Sequence, residues 1–342
     1  MDLDTFLTTL YVLVDDWYSA QIAPHVQRRR GGKQRMSDSE VLTVALVGQW
    51  QVGVPWNSER GVVRYMQQQG RQWFPQMLGR SAFNERVRHL CTVLAALQQA
   101  MAEQLSDARN VYEVGDGLPL PVCSVSQATR QRGHWLGATA SRGHGGTQGG
   151  WFYGQRCWMS VTGSGAITGW LVGAGHLNER WLLEAFLSST RAGDGRLQLP
   201  PPDTHTPRAL RARPPQGFIG GFFAAGHDGQ RPYLADQGLN SLRWQQHWAD
   251  GYGATVITLP PTGTAARDAW SRADRLWLAH HRQIIETVFA HLTTVFGIKH
   301  LNAHSLWGQY TRLAAKAAAF NVALWFNHCL GRSLLAIPTL LL

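Results

Sequence analysis

Val111-Tyr-Glu-Val-Gly-Asp116-Gly-Leu-Pro-Leu-Pro-Val-Cys123 is the stretch on which the reading of the fold turns. Val111 to Asp116 has strand composition, and two prolines in Leu118–Cys123 exclude a helix interior. Before this stretch the chain reads as helices. Phe6, Leu7, Leu10, Val14 and Trp17 recur at helical spacing, and Ser37-Asp-Ser-Glu40 is a capping-box pattern opening the apolar run Val41–Val47. A further helical segment opens at Ser81, with Val87, Leu90, Cys91, Leu94 and Leu97 on one face. After the stretch, Arg130–Gly150 is rich in Gly, Arg and His and reads as loop. Trp151–Val161 and Ile167–Val172 are two strands around the hairpin signal Thr162-Gly-Ser-Gly165. A helix over Glu179–Ser189 follows, then a proline-rich insertion at about 199–217 without periodicity. A strand at Pro232–Asp236, a helix at Leu239–Asp250, a strand at Ala254–Leu259, and helices from about Trp270 to Leu335 complete the order. Helices, then a β-hairpin with alternating β and α, then helices again imply a mixed α/β fold, a mixed sheet covered by helices.

The chain has 342 residues, 44% of them hydrophobic, so a wholly disordered chain is excluded. Charged residues are only 16%, yet 32 are basic and 22 acidic, a formal net charge of +10. Lys33, Lys299 and Lys316 are the only lysines, so arginine, the residue suited to forked phosphate contacts, carries nearly all the positive charge. This balance favours nucleic acid as partner. The basic stretch Arg28-Arg-Arg-Gly-Gly-Lys33-Gln-Arg35 reads as either a solvated connector or a phosphate-contacting arm. Cys91, Cys123, Cys157 and Cys329 are scattered without ligand spacing, so structural zinc is not expected. Asp2 and Asp4 argue against a secretory leader, and the uncharged stretch Ala317–Gly331 is too short and polar for a bilayer. A cytoplasmic chain with no membrane partner is expected.

The carboxylates carry the chemistry. Asp116 and Asp236 stand at the ends of expected strands, where loops gather and α/β sites form. Glu286 lies on an expected helix whose buried stripe is Ile285, Val288, Leu292 and Val295. It flanks that stripe beside Ala279, Arg282, Ala290 and Thr293. Each acid alone reads as a solvated or ion-paired group, with Arg282 placed one turn from Glu286 to pair with it. Together they offer hard oxygen ligands for two Mg2+ or Mn2+ ions. Glu113 falls on the opposite strand face from Asp116, and Asp228 in Gly226-His-Asp-Gly229 is the alternative to Asp236. No HExxH, GxSxG or Walker-type loop is present. Trp307, Tyr310, Arg312 and Lys316 share one helix, read either as core packing or as the lining of a DNA channel.

Three segments together resemble the DDE transposases of bacterial insertion sequences: Asp116-Gly-Leu-Pro-Leu-Pro-Val-Cys123, Tyr233-Leu-Ala-Asp236-Gln-Gly238 and Arg282-Gln-Ile-Ile-Glu286-Thr-Val-Phe289. The ordered matches run from about residue 35 to 320. The resemblance implies an RNase H-like catalytic core over 109–342 and a helical DNA-binding region over 1–108. It also implies two Mg2+ ions held by Asp116, Asp236 and Glu286, and cutting and joining at terminal inverted repeats of double-stranded DNA by a homodimer. DNA contacts are expected from Arg28, Arg29, Arg30, Lys33, Arg35, Arg130, Arg282, Arg312 and Lys316. The chain departs from the family pattern at Gly117 in place of Ser, Leu239 in place of an aromatic residue, Thr293 in place of Lys and Asn302 in place of Arg. A DNA-binding regulator or decayed copy without catalysis, and a stand-alone metal-dependent nuclease, are the rival readings.

Overall fold

A computed structural model describes residues 1–26, 35–106, 110–123, 128, 139–145, 150–192, 219–224, 231–303 and 305–341. The fold is mixed α/β, with two compact units. One is formed by Met1–Leu105 together with Ala290–Leu342, the other by Ser106–Phe289.

The helical unit contains α1 (Leu3–Gln21), α2 (Asp38–Val47), α3 (Glu59–Gln68), α4 (Arg80–His89) and α5 (Cys91–Gln104). The capping box is formed: Ser37 Oγ accepts from Glu40 N at 3.1 Å, and the Glu40 carboxylate accepts from Ser37 N at 2.6 Å. The segment expected as one helix from Ser81 breaks at Leu90 into α4 and α5. The sequence reading assigns 290–342 to the catalytic core. The structure instead groups it with the N-terminal helices, because Leu306–Cys329 (named α10 below) packs along α5. Its alanines at 314, 315, 317, 318 and 319 are buried, and small side chains let helix backbones approach closely. Asn321 Nδ2 donates to Gln98 O at 2.8 Å within this buried face.

The second unit is built on a seven-stranded sheet of β1 (Glu113–Cys123), β2 (Ser141–His144), β3 (Trp151–Thr162), β4 (Ile167–Ala174), β5 (Ile219–Ala224), β6 (Tyr233–Leu234) and β7 (Val256–Ile257). Its order is β5-β4-β3-β1-β6-β7, with β2 pairing on β3. β1, β3, β4 and β5 pair antiparallel in turn, whereas β6 adds parallel to β1 and β7 parallel to β6. The β3–β4 hairpin turns where the sequence signals it, with Gly165 at φ 93°, a backbone conformation that glycine adopts without strain. Pro119 and Pro121 are tolerated in β1 because β6 pairs only with Glu113 and Val114, so beyond that point the strand has an open side.

Helices α6 (Glu179–Leu187), α7 (Leu242–Tyr252), α8 (Ala265–Asp268) and α9 (Arg272–Thr294) complete the chain order before α10. Trp158, Leu183, Phe186, Tyr233 and Trp248 are among the residues of one buried cluster. Trp158 lies so close over β1 that a Cβ at Gly115 would stand 2.4 Å from its ring. A buried clasp ties α6 to α7: Glu184 receives Trp248 Nε1 at 3.0 Å and the Tyr252 hydroxyl at 2.5 Å, and hydrogen-bonds His247 Nε2 at 3.0 Å. Along α9, Ile285, Val288 and Leu292 are fully buried, as their helical spacing requires.

Candidate active site

Asp116 is not at the end of its strand as the sequence suggests; β1 runs on to Cys123. It is nonetheless past the last parallel partner, since β1 and β6 pair as Glu113 with Tyr233 and Val114 with Leu234. The same register continued by two residues brings Asp116 level with Asp236, just beyond β6. Both aspartates therefore lie just past the last parallel pair, Asp236 in the turn after β6 and Asp116 within β1. Asp116 is partly buried, and its Oδ1 accepts from Gly117 N at 2.7 Å. Asp236 precedes a single 3-10 turn, Gln237–Leu239.

A third carboxylate joins them that the sequence reading does not single out. Glu179 opens α6, after Asn178 caps the helix by accepting from Arg180 N at 2.9 Å. It reaches the site over Gly117, where a Cβ would stand 2.8 Å from its Oε1. At Gly238 a Cβ would meet only Asp236 Oδ2 at 3.8 Å and Glu179 Oε2 at 3.9 Å, so open room lies between the two carboxylates. Arg180 fixes this turn by donating to Gly238 O at 3.1 Å and Asn240 O at 2.9 Å.

Two arginines face the three acids. Arg156 on β3 donates to Glu179 Oε1 at 2.7 Å and to His144 O at 2.6 Å. Arg282 on α9 pairs with Asp236 Oδ1 at 3.3 Å, not with Glu286 as helical spacing alone suggests. Its partner lies across the fold because Asp236 offers a carboxylate at a loop that α9 passes. Burial first, then the charges of Glu179 and Asp236, push the Asp116 carboxyl up to about 7, against the opposing Gly117 N–H and Arg282. Glu179 is raised by burial and by Asp236, with Arg156 and Arg282 opposing. Glu286 is exposed and stands one helical turn beyond Arg282; it is not among the charges that shift either acid. Glu113 is buried, receiving the Thr168 hydroxyl at 3.0 Å, and stays out of the cluster as strand alternation requires.

The chemistry of the cluster suits a divalent cation: the oxygens are all carboxyl oxygens, three carboxyl groups face two guanidiniums, and Gly238 leaves room between two of the carboxyls. Among the described residues no group of three or more His, Cys, Asp or Glu side chains is gathered ready to hold one ion. Arg282 and Arg156 engage two of the acids instead.

Of the expected DNA contacts, Arg28, Arg29, Arg30, Lys33 and Arg130 lie outside the described residues, as does Asp228. Arg35 is exposed. Arg312 pairs with Glu59 and donates to Leu301 O at 2.7 Å. Lys316 is 5% exposed, its ammonium donates to Phe296 O at 2.5 Å, and it borders the same concavity as Arg312. Trp307 on that helix is 52% exposed rather than packed in the core.

Comparison with known proteins brings no match, whether against family models, curated proteins or solved structures. No helix among the described residues is long and apolar enough to cross a membrane.

Proposed function

We propose that the chain is a DDE transposase that cuts DNA at the terminal inverted repeats of an insertion sequence and joins the ends to target DNA. The observation that carries the reading is the pair Asp116 and Asp236, level in one parallel register, with Asp116 raised to about 7 by burial first and then by the charge of Glu179. Crowded carboxylates at a loop edge are what metal-assisted phosphoryl transfer requires. An antiparallel set of strands extended by two parallel ones, with helices following, supports the RNase H-like form of the core.

Asp116, Asp236 and Glu179 would hold Mg2+ or Mn2+, which would supply Lewis-acid charge to the attacking and leaving oxygens, with the exposed Glu286 on α9 as the rival third acid. Water cleaves the phosphodiester at the element end, releasing a 3′-hydroxyl. That hydroxyl then attacks a target phosphodiester in line, its proton passing to solvent and the displaced target 3′-oxygen leaving. Arg282 supplies positive charge at Asp236, and a guanidinium released from that pairing has the fork that matches phosphate oxygens. Arg156 holds Glu179 in place against the repulsion of its neighbours.

The test is nicking and strand transfer on DNA carrying the inverted repeats, with and without magnesium. Asp116→Asn and Asp236→Asn should each abolish nicking and leave DNA binding within about twofold of the native protein, roughly 0.4 kcal/mol. A second reading, a DNA-binding regulator without catalysis, is favoured by one observation: Arg282 already neutralises Asp236. Metal-independent DNA binding with no nicking at any magnesium or manganese concentration would decide for the regulator. Nicking without joining would decide for a nuclease.

A further inference from the structure

We infer that a basic cleft within the helical unit is a second phosphate-binding site, built to hold the backbone of a DNA strand. The inference rests on the DNA-binding half of the reading above and not on its chemistry. The cleft has a volume of about 490 Å³ and is lined from α3, α4, α10 and the turn before α10. Arg60 and Arg80, both exposed, and the half-buried Arg88 line it, and none of them has an acidic partner among the described residues. The one acid on its wall, Glu59, is already paired with Arg312. Unpaired guanidiniums converging on one concavity repel each other unless an anion sits among them.

Two further features point the same way. Trp50 lines the cleft at 1% exposure, and its indole N–H has no hydrogen-bond acceptor among the described residues. A buried donor left unmatched costs stability until an acceptor arrives, and a phosphate oxygen is such an acceptor. Lys316 closes the same cleft, and burial together with Arg312 lowers its ammonium to about 7. An anion in the cleft would restore its charge. Forked guanidiniums match phosphodiester oxygens in two-point geometry, and a strand backbone supplies several phosphates in sequence to a cleft with several arginines.

The experiment measures affinity for a short fluorescein-labelled DNA duplex by anisotropy across a salt series, without divalent cation, using the full chain. The double variant Arg60→Gln/Arg80→Gln should bind roughly three- to tenfold more weakly at moderate salt, and the slope of log Kd against log salt should fall by up to about two. Glu59→Gln, which removes the acid on the cleft wall, should tighten binding. Melting temperature is read on each variant. Unchanged affinity and slope in the double variant overturn the inference, as does Glu59→Gln failing to tighten binding if the double variant proves unstable. Inorganic pyrophosphate serves as the competing probe. If it binds natively and not to the double variant, while DNA binds both alike, the cleft takes a free anion and the assignment to DNA is wrong. The two readings fail separately: DNA held by the cleft without nicking removes the transposase, and nicking with unaltered binding removes the cleft.

Discussion

At Asp116 the sign of the site's electrostatics becomes measurable. A carboxyl raised to about 7 keeps its proton in the folded state across the window from about 3.8, where it ionises when unfolded, to about 7. The stability linked to that proton is fully present below about 4 and is lost as pH rises through about 7. A carboxamide at this position has no such proton to lose. Asp116→Asn should therefore match the native protein near about pH 4 and exceed it above about pH 7 by roughly 2–6 °C in Tm. A difference that stays flat with pH would show that the carboxyl is not raised. The neighbouring Gly117 is where the chain departs from the resembled family, and the structure supplies the reason. Glu179 occupies the space a serine side chain needs, with its Oε1 2.8 Å and Cγ 2.9 Å from the Cβ position. Gly117→Ser should push Glu179 away, remove the largest like charge acting on Asp116, and lower the midpoint of the pH dependence. Asn302 departs for a related reason: at φ 50° it sits in the left-handed region, which asparagine tolerates and arginine resists.

At the scale of elements, the proposed transposase chemistry needs a third acid, and two helices offer one. α6 presents Glu179 beside Asp116 and Asp236, whereas α9 presents Glu286 at its exposed face. Glu179→Gln and Glu286→Gln, compared by nicking rate under magnesium, separate them. Both should reduce nicking, and loss of a true metal ligand should cost about 10²-fold or more, roughly 3 kcal/mol. If Glu179→Gln nicks at the native rate, its role is confined to tuning Asp116. The hairpin, the capping box and the α9 stripe were legible in the sequence because each has a local period or a local turn residue. The position of Asp236 just after its strand was legible, whereas that of Asp116 was not, since β1 runs past it to Cys123. Glu179 stayed hidden for a physical reason: an acid in the first turn of a helix looks like a partner for the helix dipole. Only the tertiary approach of α6 to Gly117 distinguishes the two roles. The burial of Lys316 was equally hidden, since a lysine beside aromatic residues on a helix reads as surface until the packing of α10 is known. The same holds for Arg282, whose local partner by spacing was Glu286 and whose actual partner is Asp236.

For the molecule as a whole, the consequence lies in which ends of the chain share a core. Residues 290–342 close the helical unit begun by residues 1–105, while residues 106–289 have a sheet core of their own. α10 contributes a long buried face, including Phe320, Val322, Leu324 and Phe326, to that helical core. Each such side chain is worth about 1.5–3 kcal/mol on burial. Four of them already approach the roughly 5–15 kcal/mol by which a domain is stable. Ending the chain before Leu306 should therefore unfold the helical unit rather than trim it. The expected result in calorimetry is loss of the helical unit's unfolding transition, with a transition from the sheet-bearing unit retained. Circular dichroism should show helix loss well beyond the residues removed, because α2, α4 and α5 lose the surface they pack on. Had 290–342 belonged to the catalytic core, as the sequence alone suggests, the same truncation would destroy the sheet unit and spare the N-terminal helices. Hydrogen exchange read separately on β3 and on α5 distinguishes these outcomes: fast exchange at α5 with protection kept at β3 supports the grouping, and the reverse pattern overturns it.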